Sequence, residues 1–181
     1  VVWSNAPFSV YHGILDDHAS AISAAGADPA KGSALTDFGR GFYVTTSMRQ
    51  ARQWADQKHL KRLQARRDWK GRAAVVEFLV DRDWFAGLRT LIFTFEGGTG
   101  GYWDFVAHCR RRAAADGAPP DHGARSAGKK HYDAVLGPVS LWPQRLVIKD
   151  CDQISFHGAA DDVRELKVTG VTFGSPRFDP S

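Results

Sequence analysis

His12 followed by Gly13, closing the run PFSVYHG, is the first place in this chain where residue types suggest chemistry. An imidazole on a strand can aim into a cleft, and a glycine beside it leaves bare backbone for a planar ligand to approach. The second place is TDFGRGFYVTTSMRQARQWA, Thr36 to Ala55, where Tyr43 stands between Phe42 and Val44. An aromatic face, a histidine and open backbone are the groups needed to hold an amide-bearing aromatic ring. Arg40 lies between two glycines just ahead of Tyr43 and offers a planar fork suited to a pyrophosphate, or else a solvated turn residue. Thr45 and Ser47 follow as supports, although Ser47 is better explained as a helix cap.

Other motifs fail on context. Asp37-Phe38-Gly39 spells a kinase magnesium motif, but no lysine strand or catalytic loop fits ahead of it, and the chain is too short. GRG at 39–41 is not a dinucleotide fingerprint, and GGTGG at 97–101 lacks the Gly-Lys-Ser/Thr ending of a phosphate loop. GGTGG does precede a predicted helix, whose N–H groups suit an anion. Cys109 and Cys151 are far apart, with no CxxC or Cys/His cluster, so neither zinc nor any other metal is expected, and a disulfide is left open. The net charge of +4 and pI near 9.2 suit a polyanionic partner. Lys58, Lys61, Arg62, Arg66 and Arg67, with Arg110–Arg112, are the candidate contacts, or else two solvated helix ends.

The elements that must position these residues read as one α+β domain spanning residues 1–181. At 43% apolar and 12% aromatic the chain has the makings of a full core, and VVEFLV is far too short to cross a bilayer. A strand is expected at 7–13 and a helix at 17–25, capped by Asp16 or Asp17. A strand at 41–46 leads through the Ser47 cap into a helix running toward Arg67. Its apolar stripe is Met48, Ala51, Trp54 and Ala55, extended by Leu60 and Leu63. A strand at 73–81 and a helix from Tyr102 come next, then short strands at HYDAVLG, RLVIKD, DQISFHG and LKVTGVTF, with a short helix near 159–166. The start at Val1 rather than Met reads as a piece of a longer protein, such as a processed C-terminal domain.

YHG, DFGRGFYVTTSMRQARQWA, YDAVLGPVS and DQISFHG together resemble the bacterial ADP-ribosyltransferase-like domains of toxins and toxin–antitoxin modules. These are similar to the His-Tyr-Glu branch, which contains poly-ADP-ribose polymerases and diphtheria toxin. The likeness spans roughly Val10 to Leu166, and DFGxGFYxTxxxxQAxxWA is its most specific block. It implies split, curved sheets around an NAD cleft with flanking helices. NAD would serve as ADP-ribose donor, and no metal would be needed. His12 would bond the adenosine-side ribose, the Gly13 backbone would meet the nicotinamide carboxamide, and Tyr43 would stack on the nicotinamide ring. All of this requires His12 and Tyr43 to converge on one hollow.

The third signature position falls on Gln153, where the polymerases have glutamate. A carboxylate stabilises an oxocarbenium-like centre better than an amide, and an amide cannot deprotonate a nucleophile. Gln153 therefore implies slower chemistry, a nucleophile needing no base, or a carboxylate from elsewhere. Only Glu77, Glu96 and Glu165 are available among 20 acidic residues, and Glu96, beside the glycine-rich loop, is the best reserve. The expected activity is transfer of ADP-ribose to a protein, RNA or DNA acceptor by a toxin. Its inhibitor would be an acidic antitoxin or immunity protein. It would work away from membranes, in the cytoplasm of the producing or the target cell, and a secreted effector domain also fits. NAD glycohydrolysis and a degenerate NAD- or nucleic-acid-binding module are the alternatives.

Overall fold

A computed structural model describes residues 5–94, 99–111 and 132–174. In chain order the elements are β1 (Phe8–Leu15), α1 (Asp16–Ala25), β2 (Phe42–Val44), α2 (Met48–Ala65), β3 (Ala73–Val80), α3 (Arg82–Ala86), β4 (Thr90–Ile92), α4 (Gly100–Arg110), β5 (Ala134–Leu141), β6 (Leu146–Phe156) and β7 (Lys167–Phe173). The fold is mixed α+β with two sheets, ordered β1-β3-β7 and β2-β6-β5-β4. The chain divides into two compact units, each assembled from separate stretches. One is Val1–Ala27, Val44–Ala86 and Arg164–Ser181; the other is Asp28–Tyr43 and Gly87–Val163. Among the described residues no helix is long and apolar enough to cross a membrane.

In the first unit, β1 and β7 flank β3, both antiparallel to it, with His12 opposite Val76 and Gly13 opposite Val75. Side chains alternate along a strand, so Tyr11 and Gly13 face one way and Val10 and His12 the other. The Gly13 face receives α2, whose Ala51 and Ala55 pack with Ala73, Val75 and Tyr11. The approach is so close that a Cβ on Gly13 would stand 2.0 Å from the Ala51 carbonyl oxygen. Bare backbone at residue 13 is thus a packing requirement between strand and helix.

The expected Ser47 cap is present, with its hydroxyl accepting the Gln50 N–H at 3.3 Å. The expected stripe needs correction. α2 buries Gln50, Ala51, Ala55 and His59, while Leu60 is 47% exposed and Leu63 only half-buried. The helix drifts slightly off the expected face, and His59, its ring centroid 5.2 Å from that of Trp69, takes the place assigned to Leu60. No side chain caps α1, because Leu15 holds that position. The Asp16 carboxylate instead accepts the Arg72 N–H at 2.9 Å and ties α1 to the entrance of β3.

In the second unit, β5 runs antiparallel to β6 and parallel to β4, with Gly137 opposite Gln153. RLVIKD and DQISFHG, expected as two strands, form one strand of 11 residues, with Asp150 at φ 57° where the halves meet. Phe38, Phe93, Tyr102, Phe105 and Val135 make the core, with Phe38 fully enclosed. The helix expected near 159–166 is a short 3-10 turn, Ala160–Val163. Cys109 and Cys151 do not form a disulfide. Glu96, Gly97, Gly98, Arg112 and the loop at 119–130 lie outside the described residues.

Gly13→Ala is expected to cost at least 2–3 kcal/mol, because the Ala51 carbonyl belongs to a rigid helix and cannot yield. Gly100→Ala, at the start of α4 with open space around it, should instead be neutral or gain up to about 1 kcal/mol. Thermal or urea unfolding of the two variants against the parent checks the contrast.

Candidate functional site

The block from Thr36 to Tyr43 owes its shape to a turn. The Gly39 N–H donates to the Thr36 carbonyl at 3.2 Å, and Gly39 adopts φ 79°, a conformation that favours glycine. Phe38 thereby drops into the aromatic core and Asp37 points inward. Tyr43 closes the loop from its far end. Its hydroxyl accepts the Phe38 N–H at 2.9 Å, donates to the Gly39 carbonyl at 2.8 Å and lies 2.8 Å from the Thr36 hydroxyl. Burial pushes the phenol well above its ordinary pKa, so it stays a neutral donor. With the hydroxyl committed, what Tyr43 offers a ligand is its half-buried ring, which is also stacked on Phe38 with centroids 6.3 Å apart.

Asp37 is the electrostatic centre of this unit at 2% exposure. One carboxylate oxygen accepts Arg110 Nε at 2.8 Å, Arg110 Nη2 at 2.6 Å and the Ser140 hydroxyl at 2.5 Å. The other accepts the Ser140 N–H at 2.9 Å and Gln153 Nε2 at 2.7 Å. Gln153 Nε2 gives its second hydrogen to the Pro138 carbonyl at 2.9 Å, which Tyr102 also meets from its hydroxyl at 3.0 Å. Burial, then the Asp37 charge, raises the Tyr102 phenol well above its usual value. Both hydrogens of the Gln153 amide are taken, and its carbonyl oxygen is the group left to act.

This geometry explains why residue 153 is an amide. A glutamate there would set a second carboxylate against Asp37 and would have no hydrogen for the Pro138 carbonyl. Sequence reasoning placed Gln153 as a ribose contact but saw no role for Asp37 or Ser140. By sequence, Arg110 falls in a candidate nucleic-acid patch. It is instead an ion-pair partner, 29% exposed and held on a buried carboxylate.

His12 and Gly13 belong to the first unit, Tyr43 and Gln153 to the second. His12 is half-buried on the face of β1 opposite α2. The Tyr11 N–H and C=O form a bridge with Thr45 at 2.8 and 2.9 Å, turning away from β3. The alternation of an antiparallel strand therefore turns the Gly13 N–H and C=O to that same outer edge, beyond the bridge. There Lys58 Nζ donates to the Gly13 carbonyl at 2.6 Å. Burial lowers the Lys58 ammonium to a pKa of about 8. Lys58 is thus no solvated patch residue, and its helical position alone gave no signal of this.

The remaining candidates have structural employment. Thr45 is fully buried and its hydroxyl accepts the Ser47 N–H at 3.0 Å. Arg40 Nη1 donates to the Ala30 and Gly32 carbonyls, both at 3.0 Å, pinning the loop after the 3-10 turn Pro29–Lys31, while the rest of its guanidinium is exposed. Glu77 accepts the Ser9 hydroxyl at 2.7 Å, and Glu165 pairs with Lys167 at 3.5 Å. Of the basic clusters, Arg66 pairs with Asp68 at 3.1 Å, Arg62 lies 5.9 Å from the Trp69 ring and Arg111 5.5 Å from Trp142. A cavity of about 470 Å³ in the first unit, between Phe8, Thr46 and Phe85, is lined by none of the expected site residues. Among the described residues no group of three or more His, Cys, Asp or Glu could hold a metal ion.

Gln153→Glu should lower stability at pH 7 by on the order of 2–4 kcal/mol. The introduced carboxyl faces acceptors, so its folded pKa should lie above the unfolded value. The penalty should then fade below about pH 4.3 and grow as pH rises. Urea midpoints of variant and parent across that range test the sign. For Lys58 the linkage runs otherwise. Between about pH 8 and the ordinary value of 10.5, the unfolded chain holds a proton that the folded chain has shed. Stability should rise with pH there, by at most about 1.4 kcal/mol per unit, and Lys58→Met should lack the rise.

Comparison with known sequences gives one family assignment. No curated protein and no solved structure matches the chain. The model of a family described as a protein of unknown function, DUF3990, matches residues 10–141, from β1 through the Tyr43 block to the end of β5. That span is well over half of the 181 residues, and the chain belongs to the DUF3990 family.

Proposed function

We propose that this protein is an NAD-dependent ADP-ribosyltransferase of the toxin type, with an ADP-ribosyltransferase-like fold. It would transfer ADP-ribose to a macromolecular acceptor and release nicotinamide. The observation that carries the reading is the backbone of Gly13. Its N–H and C=O lie on one outer edge of β1, and a primary carboxamide presents the complementary acceptor and donor from one planar group. His12, adjacent to it, bonds the adenosine-side ribose. Tyr43, its hydroxyl anchored by the turn, offers its ring to the nicotinamide.

In the reaction the bond between the ribose C1′ and the nicotinamide nitrogen breaks. Nicotinamide leaves with the electron pair as a neutral ring, and the acceptor bonds to C1′ and loses its proton. Gln153 takes no proton in this scheme. Its carbonyl oxygen accepts from a ribose hydroxyl, and Asp37 behind the amide draws on its N–H and makes that oxygen more negative. The rate gain comes from positioning and partial charge, which suits an acceptor that needs no base. The acceptor is a protein side chain or a nucleic acid, and the exposed Lys61 and Arg67 suit a polyanion. An acidic antitoxin or immunity protein would cover the same surface, in the cytoplasm of the producing or the target cell.

The test uses NAD labelled in the adenylate, with and without cell extract. Nicotinamide release that depends on extract, with label lost to protease or to nuclease treatment, is the expected result. Tyr43→Phe, which keeps the ring, should retain more activity than Tyr43→Ala, which should lose at least about a hundredfold. Rapid release of free ADP-ribose with NAD alone would make the protein a glycohydrolase. Calorimetric binding of NAD without turnover would make it a binding module.

A further inference from the structure

The proposed carboxamide edge is already engaged in this structure, by the protein itself. Lys58 projects from the third turn of α2 and lays its ammonium on the Gly13 carbonyl at 2.6 Å. Its reach is fixed by the packing that brings the Ala51 backbone against Gly13, because Lys58 lies two turns further along the same helix. Among the described residues this carbonyl is its hydrogen-bond partner, and no carboxylate pairs with it. A partly buried ammonium on one neutral acceptor is poorly solvated, as its lowered pKa of about 8 reflects.

We propose that Lys58 is an internal occupant of the Gly13 edge, which a carboxamide-bearing ligand displaces, so that Lys58 sets the affinity for the nicotinamide end of NAD. The inference rests on the NAD reading above and adds a residue that restrains it. The physics makes a latch rather than a lock. Swinging Lys58 out breaks one charge-assisted hydrogen bond, and the return of the ammonium to water repays only part of that cost, so displacement is possible but carries a net penalty. An incoming carboxamide can accept from the Gly13 N–H and donate to the freed carbonyl. A ligand without that group has nothing to put in place of the lysine.

The test compares the parent with Lys58→Met, which keeps the apolar stem, and with Lys58→Arg, which keeps a charged donor. Titrations with NAD, nicotinamide and ADP-ribose are followed by calorimetry, on variants whose unfolding midpoints show them folded. Lys58→Met should bind NAD and nicotinamide about tenfold more tightly, the scale of one charged hydrogen bond. ADP-ribose, which lacks the carboxamide, should be unchanged, and Lys58→Arg should stay near the parent. Equal NAD binding by parent and Lys58→Met would overturn the latch while leaving the NAD reading intact. An equal gain for ADP-ribose would also overturn it, placing the effect of Lys58 elsewhere. No binding of NAD or nicotinamide by any folded form would overturn the NAD reading and the latch with it.

Discussion

A carboxylate enclosed by protein is stable only if donors replace the water it has lost, and Asp37 is such a group. Its donors come from Arg110 at the end of α4, Ser140 in β5 and Gln153 in β6. One loop acid therefore fixes a helix end and two strands of the second unit. The positive φ of Gly39 and the hydroxyl of Tyr43 hold the loop in the one shape that sends Phe38 into the core and Asp37 to its partners. The identity of residue 153 follows from this. An amide can give two hydrogens to two acceptors, and a carboxylate cannot.

The first unit depends on a different constraint, the missing side chain of Gly13. Without a Cβ there, α2 settles onto β1 through Ala51 and Ala55, and that depth carries Lys58 across to the strand edge. Packing and the proposed site coincide in this unit. The glycine that admits the helix also carries the N–H and C=O of the proposed carboxamide edge, and the helix supplies the ammonium that rests on the C=O.

Patterns local in sequence were legible. Short strand-type runs between turn residues located β1, β3 and β7, and Ser47 followed by a helical pattern located α2 with its cap. The aromatic run at 42–44 marked β2, and glycine on either side of Arg40 marked a turn. Long-range pairing was not legible. Asp37 meets Arg110 across 73 positions and Gln153 across 116, and nothing near residue 37 announces either partner. Arg110 therefore read as part of a basic run, and Lys58 as one more cation on a helix. The drift from Leu60 to His59 was hidden for a related reason: the buried face of α2 is set by what covers it, here Trp69, which lies beyond the helix end. The division into two units left no trace either, because each is built from separated stretches and no linker marks a boundary.

Glutamine at the third signature position looks, from sequence, like a damaged active site. Under the proposed function, with Asp37 behind it, the residue is one half of a divided function. In a glutamate enzyme a single carboxylate both bonds the ribose and supplies negative charge. Here the charge resides on Asp37, one hydrogen bond further back, and the amide transmits a fraction of it. Arg110 offsets part of that charge, so the field at a ribose bound there would be weaker than a bare carboxylate would give. Under the proposed reaction the loss falls hardest on acceptors that must be deprotonated during attack, because an amide flanked by acceptors has no basic site to offer. Acceptors already anionic at neutral pH, such as phosphates and carboxylates, escape that loss. In that reaction the arrangement would bias the choice of acceptor more than it would weaken cleavage of the nicotinamide bond.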